Sequence, residues 1–65
     1  MCLSTVYKQS PSPENLVLTN VQRIECKDGM VLLTDIMERQ VAVEGEILSA
    51  DLIGGKVVIA EKMAS

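Results

Sequence analysis

The sequence has 65 residues, enough for one small domain, residues 1–65, and too few for a second. Its formal net charge is −3, from six basic and nine acidic residues, and this balance argues against nucleic-acid binding, which requires clustered Lys and Arg. No segment approaches the roughly 20 apolar residues that a helix needs to span a bilayer, so membrane insertion is not expected.

Short runs of β-branched and aliphatic residues, separated by turn signals, follow one another along the chain. The first run, residues 2–8, alternates between two faces and contains Tyr7, the sole aromatic residue. A loop is predicted at residues 9–15 because they contain the tetrapeptide Ser-Pro-Ser-Pro. Further strands or apolar runs are expected at residues 16–18, 21–27, 30–35, 39–44, 46–53 and 56–60.

The turns between these runs carry glycine. Asp28-Gly29 is typical of a type I′ hairpin turn, and Gly54-Gly55 predicts a second tight hairpin. Gly45 is expected to break a strand, and residues 36–38 to form a passage between strands. A helix over residues 14–27 is the alternative for that part of the chain, but its β-branched residues and the following hairpin favour a strand. The sequence therefore predicts an all-β fold, a small barrel or strongly twisted antiparallel sheet.

The expected core is aliphatic, since the chain contains neither Phe nor Trp. A domain of this size buries only about 60% of the surface that its unfolded chain exposes. Such a core lacks large side chains, and dimerisation would add buried surface to it.

The two cysteines, Cys2 and Cys26, are more typical of free thiols or ligands than of a disulfide. The start of the chain lacks a charged segment followed by a long apolar run, so no secretory signal is predicted. We expect a cytoplasmic protein.

Cys2 has several interpretations. It could be a buried residue at the start of an edge strand, which is the common fate of a free cysteine. A catalytic N-terminal nucleophile would need a much longer chain, and a lipidation site would need a further anchor. As a metal ligand, Cys2 has neighbouring backbone nitrogens, and a free amine as well if Met1 is removed.

One thiolate with one or two nitrogens does not complete a four-coordinate shell. Two copies of this end, related by a two-fold axis, would supply two sulfurs and at least two nitrogens. Such a mixed set suits Ni(II), or Cu(II) if the thiol survives oxidation, whereas tetrahedral sites favour zinc.

Other residues have ordinary structural explanations. Cys26 has no C-x-x-C partner and lies in a predicted strand, so we interpret it as structural. Glu44 and Glu46 flank Gly45 and could meet a hard cation, although a solvated rim explains them as well. The chain has no histidine and no catalytic set, so an enzyme is not expected.

The sequence resembles the CooT family of small nickel-binding proteins linked to maturation of nickel-containing carbon monoxide dehydrogenase. The resemblance is carried by the opening Met1-Cys2, by Val6-Tyr7-Lys8, and by residues 21–29 and 50–59. It implies an SH3-like β fold, a homodimer and one nickel ion bound between two Cys2 residues. Cys26 is not part of the family pattern.

These arguments lead to one hypothesis and one alternative. The hypothesis is a cytoplasmic Ni(II)-binding homodimer that acts as a metallochaperone or nickel store, with Cys2 as its metal ligand and a nickel enzyme or other nickel-delivery protein as its partner. The alternative is a metal-independent SH3-like module that binds a protein or RNA.

Overall fold

The structure is a computed structural model that describes residues 3–62. These residues form five strands and one turn of 3-10 helix, Pro13–Asn15. The strands are β1 (Ser4–Lys8), β2 (Leu16–Lys27), β3 (Met30–Asp35), β4 (Gln40–Asp51) and β5 (Lys56–Glu61).

The five strands close into a barrel in the order β1-β2-β3-β4-β5. Four of the contacts are antiparallel, and β1 and β5 close the ring as a parallel pair. The long strands β2 and β4 pair with different neighbours along their two halves. The first half of β2 pairs with β1 and the second with β3, and the first half of β4 pairs with β3 and the second with β5. The predicted small SH3-like all-β barrel is confirmed.

Strand β2 turns the corner of the barrel at Asn20, whose φ of 55° lies in the left-handed region. Val21 pairs with Ser4 of β1 and also with Asp35 of β3, so it belongs to both halves of the strand. The prediction of separate runs at residues 16–18 and 21–27 was therefore wrong. Asparagine tolerates the left-handed conformation, and hydrogen bonding continues through the bend. The helical alternative for residues 14–27 is not adopted.

Strand β4 bends at Gly45 without ending there, which corrects the predicted break between residues 39–44 and 46–53. A β-carbon at Gly45 would collide with the carbonyl oxygen of Ala60 and lie 2.9 Å from its carbonyl carbon. Glycine is needed here because β5 approaches the backbone of β4 closely. The strand then continues to Asp51, with a bulge between Ile47 and Ser49.

Of the two predicted hairpin turns, the first is confirmed and the second is longer than predicted. Asp28 and Gly29 both have positive φ, 52° and 76°, as a type I′ turn requires, and this prediction is confirmed. The last hairpin is longer than a Gly54-Gly55 turn, because β4 ends at Asp51 and β5 begins at Lys56. Residues 52 and 53, predicted as strand, lie in this turn. The first strand begins at Ser4, and the predicted position 2 lies outside the described residues.

The barrel interior is aliphatic, as expected from the composition. Seven buried residues form the core cluster: Val6, Val21, Val31, Leu33, Val43, Val57 and Ile59. Every strand contributes at least one of them, and therefore the core itself fixes the register of all five strands.

Candidate functional site

Cys2, the predicted metal ligand, lies outside the residues that the structure describes. The described chain begins one position later, at Leu3, which is 37% exposed and directly precedes β1. The neighbours of Leu3 therefore define the surroundings of the first residue that the structure describes.

The start of β1 is held on both of its sides. Ser4 pairs with Val21 at the corner of β2. On the other side, the Thr5 N–H donates a 2.7 Å hydrogen bond to the carbonyl oxygen of Gly55, in the turn between β4 and β5. A β-carbon on Gly55 would lie 3.2 Å from the carbonyl oxygen of Leu3. The β4–β5 turn is thus the immediate neighbour of Leu3 and the start of β1.

A carboxylate organises this neighbouring turn. The Oδ1 atom of Asp51 accepts hydrogen bonds from the N–H groups of Ile53, at 3.1 Å, and Gly54, at 2.8 Å. This pattern, a side chain bonded to the backbone two and three residues on, is typical of Asp in turns. Leu52 and Ile53 are consequently presented to solvent, with Leu52 76% exposed and Ile53 fully exposed.

The turn between β3 and β4 is also built around a carboxylate. Asp35 is 1% exposed, and its oxygens accept hydrogen bonds from the N–H groups of Met37 and Arg39 and from the Arg39 side chain. Burial raises the pKa of Asp35, but the hydrogen bonds from Arg39 and Met37 and the charge of Arg39 outweigh it, and the net effect lowers the pKa. The Ile36 N–H bonds the carbonyl oxygen of Asn20, which joins this turn to the corner beside Ser4.

Cys26 is a free and exposed thiol on β2, opposite Val31 of β3. It lines a surface depression of about 300 Å³, together with Asp28, Glu46 and Ile47 among others. Within residues 3–62, no three His, Cys, Asp or Glu side chains converge in a way that could hold a metal ion. Cys26 is thus more accessible than a core thiol, and among the described residues it belongs to no group of three potential metal ligands.

Glu44 and Glu46, weighed as a site for a hard cation, are both exposed, as a solvated rim requires. Two charge pairs of the described residues lie at the surface, Lys8 with Glu61 at 3.6 Å and Arg23 with Glu25 at 3.7 Å. Pairs so exposed contribute little to stability.

The sequence matches the family described as CO dehydrogenase accessory protein CooT, and the match covers residues 1–60. The chain belongs to the CooT family. No curated protein has a significant match to this sequence. The family match includes Cys2 and nearly the whole barrel, and ends one residue before the end of β5. An accessory role toward CO dehydrogenase follows from this membership.

Sequence reasoning missed the two carboxylates that shape the turns of this CooT-family chain, Asp35 and Asp51. The residue type offers a weak local signal, since the carboxylate of Asp can accept hydrogen bonds from backbone N–H groups two positions on in a turn. No helix among residues 3–62 is long and apolar enough to cross a membrane.

Proposed function

We propose that this protein is a Ni(II)-binding homodimer in which one metal ion is held between the Cys2 residues of two chains. It acts in the cytoplasm as a metallochaperone or nickel store that supports CO dehydrogenase maturation, and it performs no catalysis of its own. The observation that carries the proposal is the family match, which spans residues 1–60 and thus includes Cys2. Nickel is the cargo that an accessory protein of a nickel enzyme would handle.

The donor chemistry of the chain supports nickel as the cargo. The sequence contains no histidine, so backbone nitrogens and the sulfurs of its two cysteines and four methionines are its soft and intermediate donors. Cys2 offers a thiolate next to backbone nitrogens, and two copies together provide a four-coordinate sulfur and nitrogen set. Such a set suits a tetragonal metal ion such as Ni(II).

The fixed start of β1 supports a site at this end of the chain. The Thr5 to Gly55 hydrogen bond and the pairing of Ser4 with Val21 hold the strand that follows Cys2. A ligand carried next to an ordered strand loses less conformational freedom on metal binding than one on a long tail. Cys26, by contrast, lies on β2, which contributes no ligand in this proposal.

A homodimer also fits the size of the chain. Sixty-five residues with an aliphatic core leave a narrow stability margin, and association adds buried surface. A two-fold axis brings the same residue of both chains together, which a shared Cys2 site requires.

Equilibrium dialysis against Ni(II) tests the proposal on the parent, Cys2→Ser and Cys26→Ser chains. We expect the parent and Cys26→Ser to bind one nickel ion per two chains, and Cys2→Ser to lose this binding. Cys26→Ser is the matched control, because it removes the other thiol of the chain.

Two results would contradict the proposal. Undiminished nickel binding by Cys2→Ser would exclude Cys2 as the ligand and would favour a metal-independent binding module. A stoichiometry of one nickel ion per chain would exclude a site shared between two copies.

A further inference from the structure

The second half of β2, all of β3 and the first half of β4 form a sheet whose outer face has an apolar centre. Within β3, Val31 and Leu33 point into the core, so the alternate positions Met30 and Leu32 point outward. Met30 is 37% exposed, and Leu32 pairs with Ala42 of β4, which is exposed as well. A solvated sheet face usually carries polar side chains at such positions. The apolar centre is therefore unusual for a face that meets only water.

These side chains line a groove of about 320 Å³, which we refer to as the hairpin groove. Its lining residues come from the β2–β3 hairpin and from β4: Glu25, Lys27, Asp28, Met30, Leu32 and Ala42. The register explains this arrangement, because Glu25, Leu32 and Ala42 are cross-strand partners in one row of the same face. An apolar floor between charged walls suits one large apolar side chain of a partner, as at interface hot spots.

Carboxylates predominate around the hairpin groove. Acidic residues lie in its lining, in the pair with Met30, and in an adjoining depression that shares part of the lining: Glu25, Asp28, Glu44 and Glu46. The accompanying basic residues are Lys27, in the lining, and Arg23, whose Nε atom lies 3.7 Å from Oε1 of Glu25. Because the whole chain also carries a net charge of −3, this face attracts cations and repels anions.

The hairpin groove is held in shape before any partner binds. Asp28 and Gly29 form the tight turn of the hairpin, with φ values of 52° and 76°. The Gly45 N–H donates a 2.9 Å hydrogen bond to the carbonyl oxygen of Gly29, which fastens the hairpin to the bend of β4. A surface that is already ordered loses little entropy on association.

We infer that the hairpin groove binds a basic segment of a partner protein. One large apolar side chain of the segment packs on Met30, Leu32 and Ala42, and its lysine or arginine side chains face the surrounding carboxylates. The same carboxylates repel the phosphates of a nucleic acid, so charge complementarity selects a basic protein segment. That the partner is a protein rests on the accessory role in the proposed function. The groove is small, and small interfaces are typical of transient complexes.

Fluorescence anisotropy with a labelled peptide tests the inference on the 65-residue chain. The probe has a central leucine flanked on each side by two lysines, and two matched peptides carry glutamate in place of lysine or alanine in place of leucine. We expect the parent to bind the lysine–leucine probe at least about 10-fold more tightly than either matched peptide, with an affinity that falls as salt is added. NMR chemical-shift mapping with the same probe should show its largest changes at residues 25–32 and 42–46.

Ala42→Lys places a positive charge on the floor of the hairpin groove. We expect it to weaken binding of the lysine–leucine probe at least about 10-fold, because like charges then face each other. Thr19→Lys is the matched control, since Thr19 is also an exposed strand position but lies on the first half of β2. It adds the same charge away from the groove and should change the affinity by less than about 2-fold. Circular dichroism checks that both variants keep the barrel.

The double variant Asp28→Asn/Glu44→Gln provides a second route that adds no bulk. It removes two carboxylates and keeps the side-chain shapes, and asparagine accepts the positive φ of the turn. We expect weaker binding of the lysine–leucine probe and a smaller dependence of its affinity on salt. An unchanged affinity and salt dependence would contradict the assigned role of the carboxylates.

Several outcomes would overturn the inference. Equal losses in Ala42→Lys and Thr19→Lys would show that net charge alone attracts the probe. Equal affinity for all three peptides, or chemical-shift changes centred outside the hairpin groove, would exclude the groove as the site. An oligouridylate that binds this face more tightly than the lysine–leucine probe would make it an RNA surface instead.

The outcomes for the groove and for the metal site are separable. A chain that binds nickel through Cys2 but does not bind the lysine–leucine probe would overturn the groove and leave the proposed metal site standing. A chain that binds the probe in the groove but takes up no nickel would overturn the metal site alone.

Discussion

The side chain of Arg39 is 73% exposed, yet its Nε atom donates a 2.8 Å hydrogen bond to Oδ2 of Asp35, whose side chain is 1% exposed. Two backbone N–H groups, from Met37 and Arg39, reach the other carboxylate oxygen at 2.9 Å each. A buried carboxylate without such donors would be strongly unfavourable. These three bonds stabilise both the charge and the turn between β3 and β4.

Acid is expected to destabilise the barrel through Asp35. Its pKa is lowered from 3.8, because the opposing effect of burial is outweighed by hydrogen bonds from Arg39 and Met37. A lowered folded pKa stabilises the protein above the unfolded value of about 3.9, and this contribution is lost as the pH falls through the folded pKa. Thermal unfolding followed from pH 7 down to pH 2 should therefore show a falling Tm below about pH 4.

Asp35→Asn is the control for this acid dependence. The substitution keeps the shape of the side chain but removes the charge, so we expect a lower Tm than the parent at pH 7 and a smaller difference at pH 2. Equal differences between the two proteins at both pH values would show that another group causes the acid dependence.

Gly45→Ala is expected to be one of the most damaging single-methyl changes in this chain. The added β-carbon would overlap the carbonyl oxygen of Ala60, so β4 and β5 must separate locally. Overpacking of this kind costs about 1–3 kcal/mol, and a rigid backbone neighbour places the expected loss of unfolding free energy at about 3 kcal/mol. Urea unfolding at constant m-value measures it.

Gly29→Ala provides the comparison for that substitution. Gly29 has a positive φ of 76°, and Gly45 one of 157°, but at Gly29 nothing lies within 4 Å of the point that a β-carbon would occupy. Only the left-handed backbone cost remains, about 1–2 kcal/mol. A loss for Gly29→Ala equal to or larger than that for Gly45→Ala would contradict the steric explanation of the bend in β4.

Thr34→Val is expected to leave the barrel as stable as the parent or more stable. The Oγ1 atom of Thr34 is buried and has no hydrogen-bond partner among the described residues. An unpaired buried hydroxyl costs about 1–3 kcal/mol, and valine has nearly the same shape without this cost. A Tm that falls clearly on substitution would show that the hydroxyl has a partner, and Thr34→Ser would then retain the parent stability better than Thr34→Val.

The sequence was most informative where structure depends on local chemistry. Asp28-Gly29 predicted its hairpin because both residues accept positive φ, and alternating aliphatic residues located the strands on either side. It was least informative where a distant strand decides the outcome. Gly45 was predicted to break a strand, but the close approach of Ala60 makes it a bend inside β4.

In the candidate site, too, local residue type was readable from the sequence, whereas exposure and turn geometry were not. Cys2 was singled out from its residue type and position, and it lies outside residues 3–62, which the structure describes. The predicted structural role of Cys26 rested on its place in a strand, which is confirmed, but its exposure depends on the packing of β2 in the barrel and could not be predicted from the strand alone. Leu52 and Ile53 were predicted as strand, because apolar pattern alone does not reveal that Asp51 ends β4 and turns both residues outward.

Asp51→Ala is expected to loosen the β4–β5 turn while Asp51→Asn preserves it. Alanine removes the acceptor of the Ile53 and Gly54 N–H groups, whereas the side-chain oxygen of asparagine can still accept both bonds. Because the turn is exposed, the expected loss for alanine is about 1 kcal/mol. Amide hydrogen exchange should accelerate at these two N–H groups in Asp51→Ala alone. Equal exchange rates in the two variants would show that Gly55 and its bond to Thr5 hold the turn instead.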